Sequence, residues 1–268
     1  MFVCKEDYIE PFRIWGNVYF VGTKPASTHI IDTGEGLIMI DSGYQHSLYI
    51  VLHNMHTLGL NPRDIKYIVH THGHIDHLGA TRALVELTGA KTFIGREDRD
   101  YANGNLDLTF AKELGMEYTE VFEPDVLLDD GSVIELNGTK IECVATPGHT
   151  PGSMSFFFYT TDGSQRYRVG LLGGIGMNSM TREFLNKYGL PYDCRSRFMM
   201  AMDRMMDCKV DIFLGNHVQQ NDTEKKAVLV KNGMTDAFVN PAEWQAALIK
   251  AKQSMHDMLE DEKRQEFV

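Results

Sequence analysis

Three stretches, far apart in the chain, each place a metal-ligand side chain just beyond a β-rich run, so any fold must bring three run ends together. The densest is Thr71-His72-Gly73-His74-Ile75-Asp76-His77, with three imidazoles and a carboxylate in six consecutive positions after the run Ile65 to His70. Ligands at i, i+2, i+4 and i+5 would scatter around a helix, unlike the i, i+4 pair of a helical H-E-x-x-H. The spacing predicts a loop wrapping a metal pair. Neutral imidazoles with one carboxylate suit Zn²⁺, and iron or manganese accept similar donors. His149, in Thr146-Pro147-Gly148-His149-Thr150-Pro151-Gly152-Ser153, follows a run ending at Val144, and His217 follows Val210 to Leu214. Converging strand ends are where an open α/β site is expected.

The other histidines read as ordinary. His70 lies just inside its strand and His29 on another, both structural; His46, His53, His56 and His256 fall on predicted helical surfaces.

The pattern around these stretches sets the fold class. Val18 to Val21, Thr28 to Ile31 and Leu37 to Ile40 read as short strands, followed by a helix with Leu48, Val51, Leu52, Met55 and Leu58 on one face. A helix over Ala80 to Thr88 and a strand over Lys91 to Ile94 flank Gly89. In the second half, Val133 to Leu136 and Lys140 to Val144 flank Asn137-Gly138, a strong hairpin turn. Ser155 to Tyr159 and Tyr167 to Leu172 flank Asp162-Gly163, and a helix around Phe198 to Met206 leads to the strand Val210 to Leu214. Strands then helices in each half predict an α/β fold, a four-layer αββα sandwich in a single domain, 1–268. The last element, a helix over about 241–262, is opened by Asn240-Pro241-Ala242-Glu243, and its stripe Trp244, Leu248, Ala251, Met255 and Leu259 should dock on the body. Core packing accounts for most of the methionines from Met177 to Met206.

Charge narrows the partners. A net charge of −11 leaves no basic stripe to neutralise phosphates, which argues against nucleic acid, and makes an anionic membrane surface a poor partner. No apolar run is long enough to span a bilayer, and Met1 to Asp7 shows no secretory signal. Four scattered cysteines without a C-x-x-C pair read as reduced thiols, and a cytoplasmic address follows.

The H-x-H-x-D-H motif at 72–77, the G-H-T-x-G-S motif at 148–153 and the downstream His217 resemble the metallo-β-lactamase superfamily. Val18-Tyr19-Phe20-Val21-Gly22-Thr23 and Gly36-Leu37-Ile38-Met39-Ile40-Asp41-Ser42-Gly43 are similar to its opening strands, so the resemblance covers nearly the whole chain. Asp236-Ala237-Phe238-Val239-Asn240-Pro241 resembles the lead-in to the C-terminal helix of the third lactamase subclass, which holds its second zinc with Asp-His-His.

The resemblance implies two zinc ions, one on His72, His74 and His149, the other on Asp76, His77 and His217. It implies that Asp41 orients ligands from behind the metal loop. A metal-bound hydroxide would attack a carbonyl carbon of a small-molecule substrate, with Asp76 orienting the nucleophile and relaying its proton. Glyoxalase II and many lactonases carry a bridging Asp after the strand at Tyr167 to Leu172. Leu172-Gly173-Gly174-Ile175-Gly176-Met177-Asn178 has no carboxylate, which favours the Asp-His-His subclass. The serines with which that subclass often holds a substrate carboxylate fall, without gaps, at Gly174 and Gly176, beside Asn178. Weak β-lactam affinity is therefore expected, improved by serines at 174 and 176. A lactonase or thioesterase differs only in substrate. A phosphodiesterase conflicts with the acidic charge, and the 67 residues between His149 and His217 leave no room for a nuclease insert. Diiron proteins of this fold usually replace the second motif histidine with Glu, whereas His74 is intact. An intact six-ligand set argues against a catalytically silent metal-binding protein.

Overall fold

A computed structural model describes residues 7–265. The chain opens with an antiparallel meander of β1 (Phe12–Trp15), β2 (Val18–Phe20), β3 (His29–Asp32) and β4 (Leu37–Ile40). Helix α1 (Leu48–Thr57) returns the chain so that β5 (Ile65–Val69) runs parallel to β4. After α2 (Ile75–Leu78) and α3 (Thr81–Thr88) comes β6 (Lys91–Gly95); after α4 (Arg99–Ala102) comes β7 (Val126–Leu128). Both strands add in parallel, giving a sheet ordered β1 to β7. The second sheet contains β8 (Val133–Leu136), β9 (Thr139–Ala145), β10 (Met154–Thr161) and β11 (Arg166–Leu171). Helices α5 (Arg182–Tyr188) and α6 (Asp193–Met205) precede β12 (Ile212–Leu214), which pairs parallel to β11. Then follow α7 (Thr223–Lys231) and α8 (Ala242–Gln265).

Side-chain alternation along the strands builds the layers. Ile38 and Ile40 face the second sheet, where they share one core with Phe156, Phe158, Val169 and Leu171. Their neighbours Leu37 and Met39 point the other way, onto Val51 and Met55 of α1 and Leu84 of α3. In the second sheet Phe157 turns outward to Phe198 and Met202 of α6 and to Trp244 and Leu248 of α8. The result is the predicted αββα order. The Asn137-Gly138 hairpin forms with both residues at positive φ, 46° and 76°, as a tight primed turn requires. Among the described residues no helix is long and apolar enough to cross a membrane.

Two local expectations need correction. The ligand-bearing stretch is not wholly a loop: Asp76 and His77 lie in the one-turn helix α2, which forms because Ile75 and Leu78 are buried and the His74 carbonyl accepts from His77 and Leu78 N–H. The C-terminal helix starts at Ala242, whose N–H donates to Asn240 Oδ1 (3.2 Å), and runs to Gln265. Sequence reading missed β1, whose bulge between Arg13 and Trp15 breaks the alternation, the three-residue β7, and α7, whose Ala227 and Val230 are only partly buried against the core. Of the methionines, Met180, Met202 and Met205 are buried, while Met200 is exposed.

Trp244 anchors α8. Its ring meets Phe157 and Phe213 edge-on at 5.4 and 5.7 Å, and its Nε1 donates to the Met205 carbonyl (3.0 Å). Trp244→Ala should therefore cost about 3–5 kcal/mol of stability, the range for a large aromatic removed from a core. Urea unfolding followed by circular dichroism checks this; a loss under 1 kcal/mol, on the order of a surface change, would contradict it.

Candidate metal centre

The site opens at the carboxyl ends of strands from both sheets. Asp41 follows β4, His72 and His74 follow β5, His149 follows β9, Gly174 follows β11 and His217 follows β12. Ring centroids of His72, His74 and His149 lie 4.5–4.9 Å apart, and one ligand atom of each lies within 4.8 Å of the others. His72, Asp76 and His77 form a second such group. His217 reaches its edge: its Nε2 is 3.6 Å from Asp76 Oδ2, and its ring is 5.2 Å from that of His77. Thus the six residues singled out by sequence lie around one space, with His72 between the two groups.

Hydrogen bonds decide which nitrogen each ring presents. His149 Nδ1 lies 2.8 Å from the Gly176 carbonyl and His217 Nδ1 2.6 Å from that of Pro25. A carbonyl only accepts, so both Nδ1 atoms carry the proton. Asp41 accepts from Thr71 N (2.8 Å) and Thr71 Oγ1 (2.7 Å) and sits 2.8 Å from His77 Nδ1. Because the Thr71 hydroxyl spends its hydrogen on Asp41, it accepts from His72 Nδ1 at 3.0 Å. Three rings, those of His72, His149 and His217, are thereby left with a bare Nε2. The Nε2 of His72 is buried without a hydrogen-bond partner, and that of His77 lies 3.2 Å from an Asp76 oxygen. A buried polar atom left without a partner calls for an ion or a water. Divalent zinc, bound by neutral imidazole and carboxylate, fits this donor set.

Electrostatics agree. Burial holds His72 and His74 well below the ordinary imidazole range and pushes His149 down to about 4, so these rings are neutral and able to donate a lone pair. Burial opposes charge on His77 as well, but Asp76 and Asp41 on its two sides outweigh it and push the ring up to about 10. Without a metal, an imidazolium would balance those carboxylates. Burial would raise Asp76, yet His77 and its neighbours hold it below the usual carboxylate range. Asp41 adopts a left-handed backbone (φ 56°), a conformation an aspartate tolerates at some cost.

His70 and His29 are buried away from this space, burial pushing each down to about 4, and His46, His53, His56 and His256 are exposed. The centre floors a cleft of about 420 Å³ that Gly174, Gly176 and Asn178 line as expected. Sequence reading missed Tyr44, Phe110 and Lys250 in its walls.

A model of the metallo-β-lactamase superfamily matches residues 21–161. The chain belongs to that superfamily. Its fold is similar to BJP-1, a subclass B3 metallo-β-lactamase of Bradyrhizobium japonicum, at 25% identity and TM-score 0.86 over 97% of each chain. It is also similar to a β-lactamase from Chitinophaga pinensis, at 30% identity and TM-score 0.81, over 97% of this chain and 98% of that one. Among curated proteins, the hydroxyacylglutathione hydrolase GloC of Haemophilus influenzae is 29% identical over 154 residues, 57% of this chain and 70% of its own. The chain spans between 31% and 70% of the length of the curated relatives it matches, several of which are named metallo-hydrolases.

Side chains at positions 174 and 176 would meet close neighbours. A Cβ on Gly174 would lie 1.8 Å from His149 Cδ2, and one on Gly176 would lie 3.2 Å from Asn178 Oδ1. The His149 ring cannot yield without leaving its bonds to Gly176 and Ser179. Serine at 174 therefore displaces a candidate ligand instead of supplying a carboxylate donor. Gly174→Ser alone should reduce zinc affinity at least tenfold, the scale of lost ligand support. Zinc titration against a chelator measures it; unchanged affinity would show that the loop relaxes freely.

Proposed function

We propose that the chain is a dizinc hydrolase that cleaves a carbonyl acyl bond of a small molecule. The observation that carries this reading is the pair of adjoining donor groups that share His72, with His74, Asp76, His149 and His217 lining one cleft. His72, His74 and His149 would hold one zinc, and Asp76, His77 and His217 the other. Bound zinc supplies Lewis acidity toward a carbonyl oxygen and a water acidified to near neutrality. The protein's own groups supply the rest. Among the described residues Asp76 is the one carboxylate lining the cleft, and its ionised state suits it to orient a water and take its proton. Asp41 holds His77 and, through Thr71, His72. Phe110, Leu114, Ile175 and Met177 offer an apolar wall to the acyl group. Lys250 of α8 is, among the described residues, the one cation lining the cleft and offers a counter-charge to an anionic substrate.

A β-lactam-like amide is the substrate class favoured by the likeness, over the full fold, to subclass B3 enzymes. Lactone or thioester hydrolysis is a second reading, supported by the similarity to a hydroxyacylglutathione hydrolase. Against it, the segment after β11 has Gly173 and Gly174 packed on Thr146 and His149, where a bridging carboxylate would be needed.

Purified protein loaded with zinc should contain two zinc ions per chain, and His217→Ala close to one, with turnover at least tenfold lower and an unchanged fold. Elemental analysis and steady-state hydrolysis of a lactam, a lactone, a thioester and a phosphodiester check this. Stoichiometric iron in active protein, or activity confined to the phosphodiester, would overturn the reading.

A further inference from the structure

We propose that Asp98 is a positioning residue that clamps the His72–His74 loop to the His149 loop and so sets how tightly three histidines hold zinc. Resting on the metal reading above, the inference concerns a residue outside the candidate ligands.

Asp98 lies just beyond β6 and is wholly buried. Its Oδ2 accepts from Gly73 N (2.8 Å) and from Thr150 Oγ1 (2.5 Å), and its Oδ1 accepts from Gly152 N (2.7 Å). Gly73 is flanked in sequence by His72 and His74, and Thr150 directly follows His149. One carboxylate therefore ties the two loops that deliver the first group of histidines. The loops belong to different sheets, so the strand ladders alone do not set their separation.

The approach is tight on every side. A Cβ on Gly152 would lie 2.5 Å from Asp98 N, one on Gly95 would lie 1.9 Å from Gly152 O, and one on Gly73 would lie 2.8 Å from Tyr101 Cβ. Three glycines thus let backbone come close enough for a short carboxylate to span the gap. Ser153 completes the arrangement: its Oγ accepts from Thr150 N (3.1 Å) and lies 2.8 Å from Thr150 Oγ1. Since the Thr150 hydroxyl donates to Asp98, the Ser153 hydroxyl donates to Thr150, which fixes the direction of the chain. An amide at position 98 would turn its NH₂ group toward at least one of the three donors, leaving that donor without an acceptor. The loops would then separate, and the ligand atoms of His72, His74 and His149, now within 4.8 Å of one another, would move apart.

The test is zinc affinity, measured by chelator competition on wild type, Asp98→Asn, Thr150→Val and Thr150→Ser, with circular dichroism of each metal-free protein. Asp98→Asn and Thr150→Val should weaken the zinc on His72, His74 and His149 about 10–100-fold, the usual scale for groups that support ligands from behind. Thr150→Ser, which keeps the hydroxyl, should bind within about twofold of wild type on that same scale. Should Asp98→Asn fail to fold, the Val and Ser pair at 150 decides the matter alone. Normal binding by wild type with equal binding by folded Asp98→Asn and Thr150→Val would overturn the clamp and leave the metal reading standing. A wild-type chain that takes up no zinc would overturn the metal reading, and the clamp with it.

Discussion

Four imidazoles in this fold are each tied through Nδ1 to an oxygen, and those oxygens come from four different places. Thr71 holds His72 from within the same loop, and Asp41 holds His77 from the end of β4. The Gly176 carbonyl holds His149 from the segment after β11, and the Pro25 carbonyl holds His217 from the connection between β2 and β3. A ring so tied has one tautomer and one orientation, with its lone pair committed to the far side. Convergence of the Nε2 atoms is therefore a property of the whole sandwich: both sheets and three of their connections must be in place before the rings can share a space.

The arrangement opposes ordinary stability. Burying imidazoles beside two carboxylates leaves Nε2 of His72 without a hydrogen-bond partner, and Asp41 holds a left-handed backbone. The surrounding core offsets these costs. Inward residues of both sheets, from Ile38 and Ile40 to Phe156 and Phe158, share one apolar cluster directly beneath the strand ends. Helix α8, fixed by Trp244, then closes one side of the cleft with Lys250 and Ser254. Residues far from His72 to His77 in sequence thereby become part of the cleft wall.

Much of this was legible because ligand side chains cluster in sequence and strand ends carry recognisable patterns. His72 to His77 announce themselves in one stretch, and the hairpin at Asn137-Gly138 marks the second sheet. What was not legible has physical reasons. The anchors on His149 and His217 are backbone carbonyls, which no side-chain pattern reveals. Asp98 is an unremarked acid among Glu97, Asp98 and Asp100 until folding buries it between two loops. Gly174 looked like a serine position that had lost its hydroxyl, whereas the His149 ring occupies the space a side chain would need. A bulge between Arg13 and Trp15 breaks the alternation of β1, and β7 has three residues.

The central claim is that the fold, before any metal binds, commits the rings of His72, His149 and His217 to donate through Nε2. Long-range ¹H–¹⁵N correlation spectra of the histidine rings in chelator-treated protein at neutral pH test it most directly. His72, His149 and His217 should each appear as the Nδ1–H tautomer with a bare Nε2. Nε2–H tautomers at these three positions, or rapid averaging between tautomers, would contradict the account.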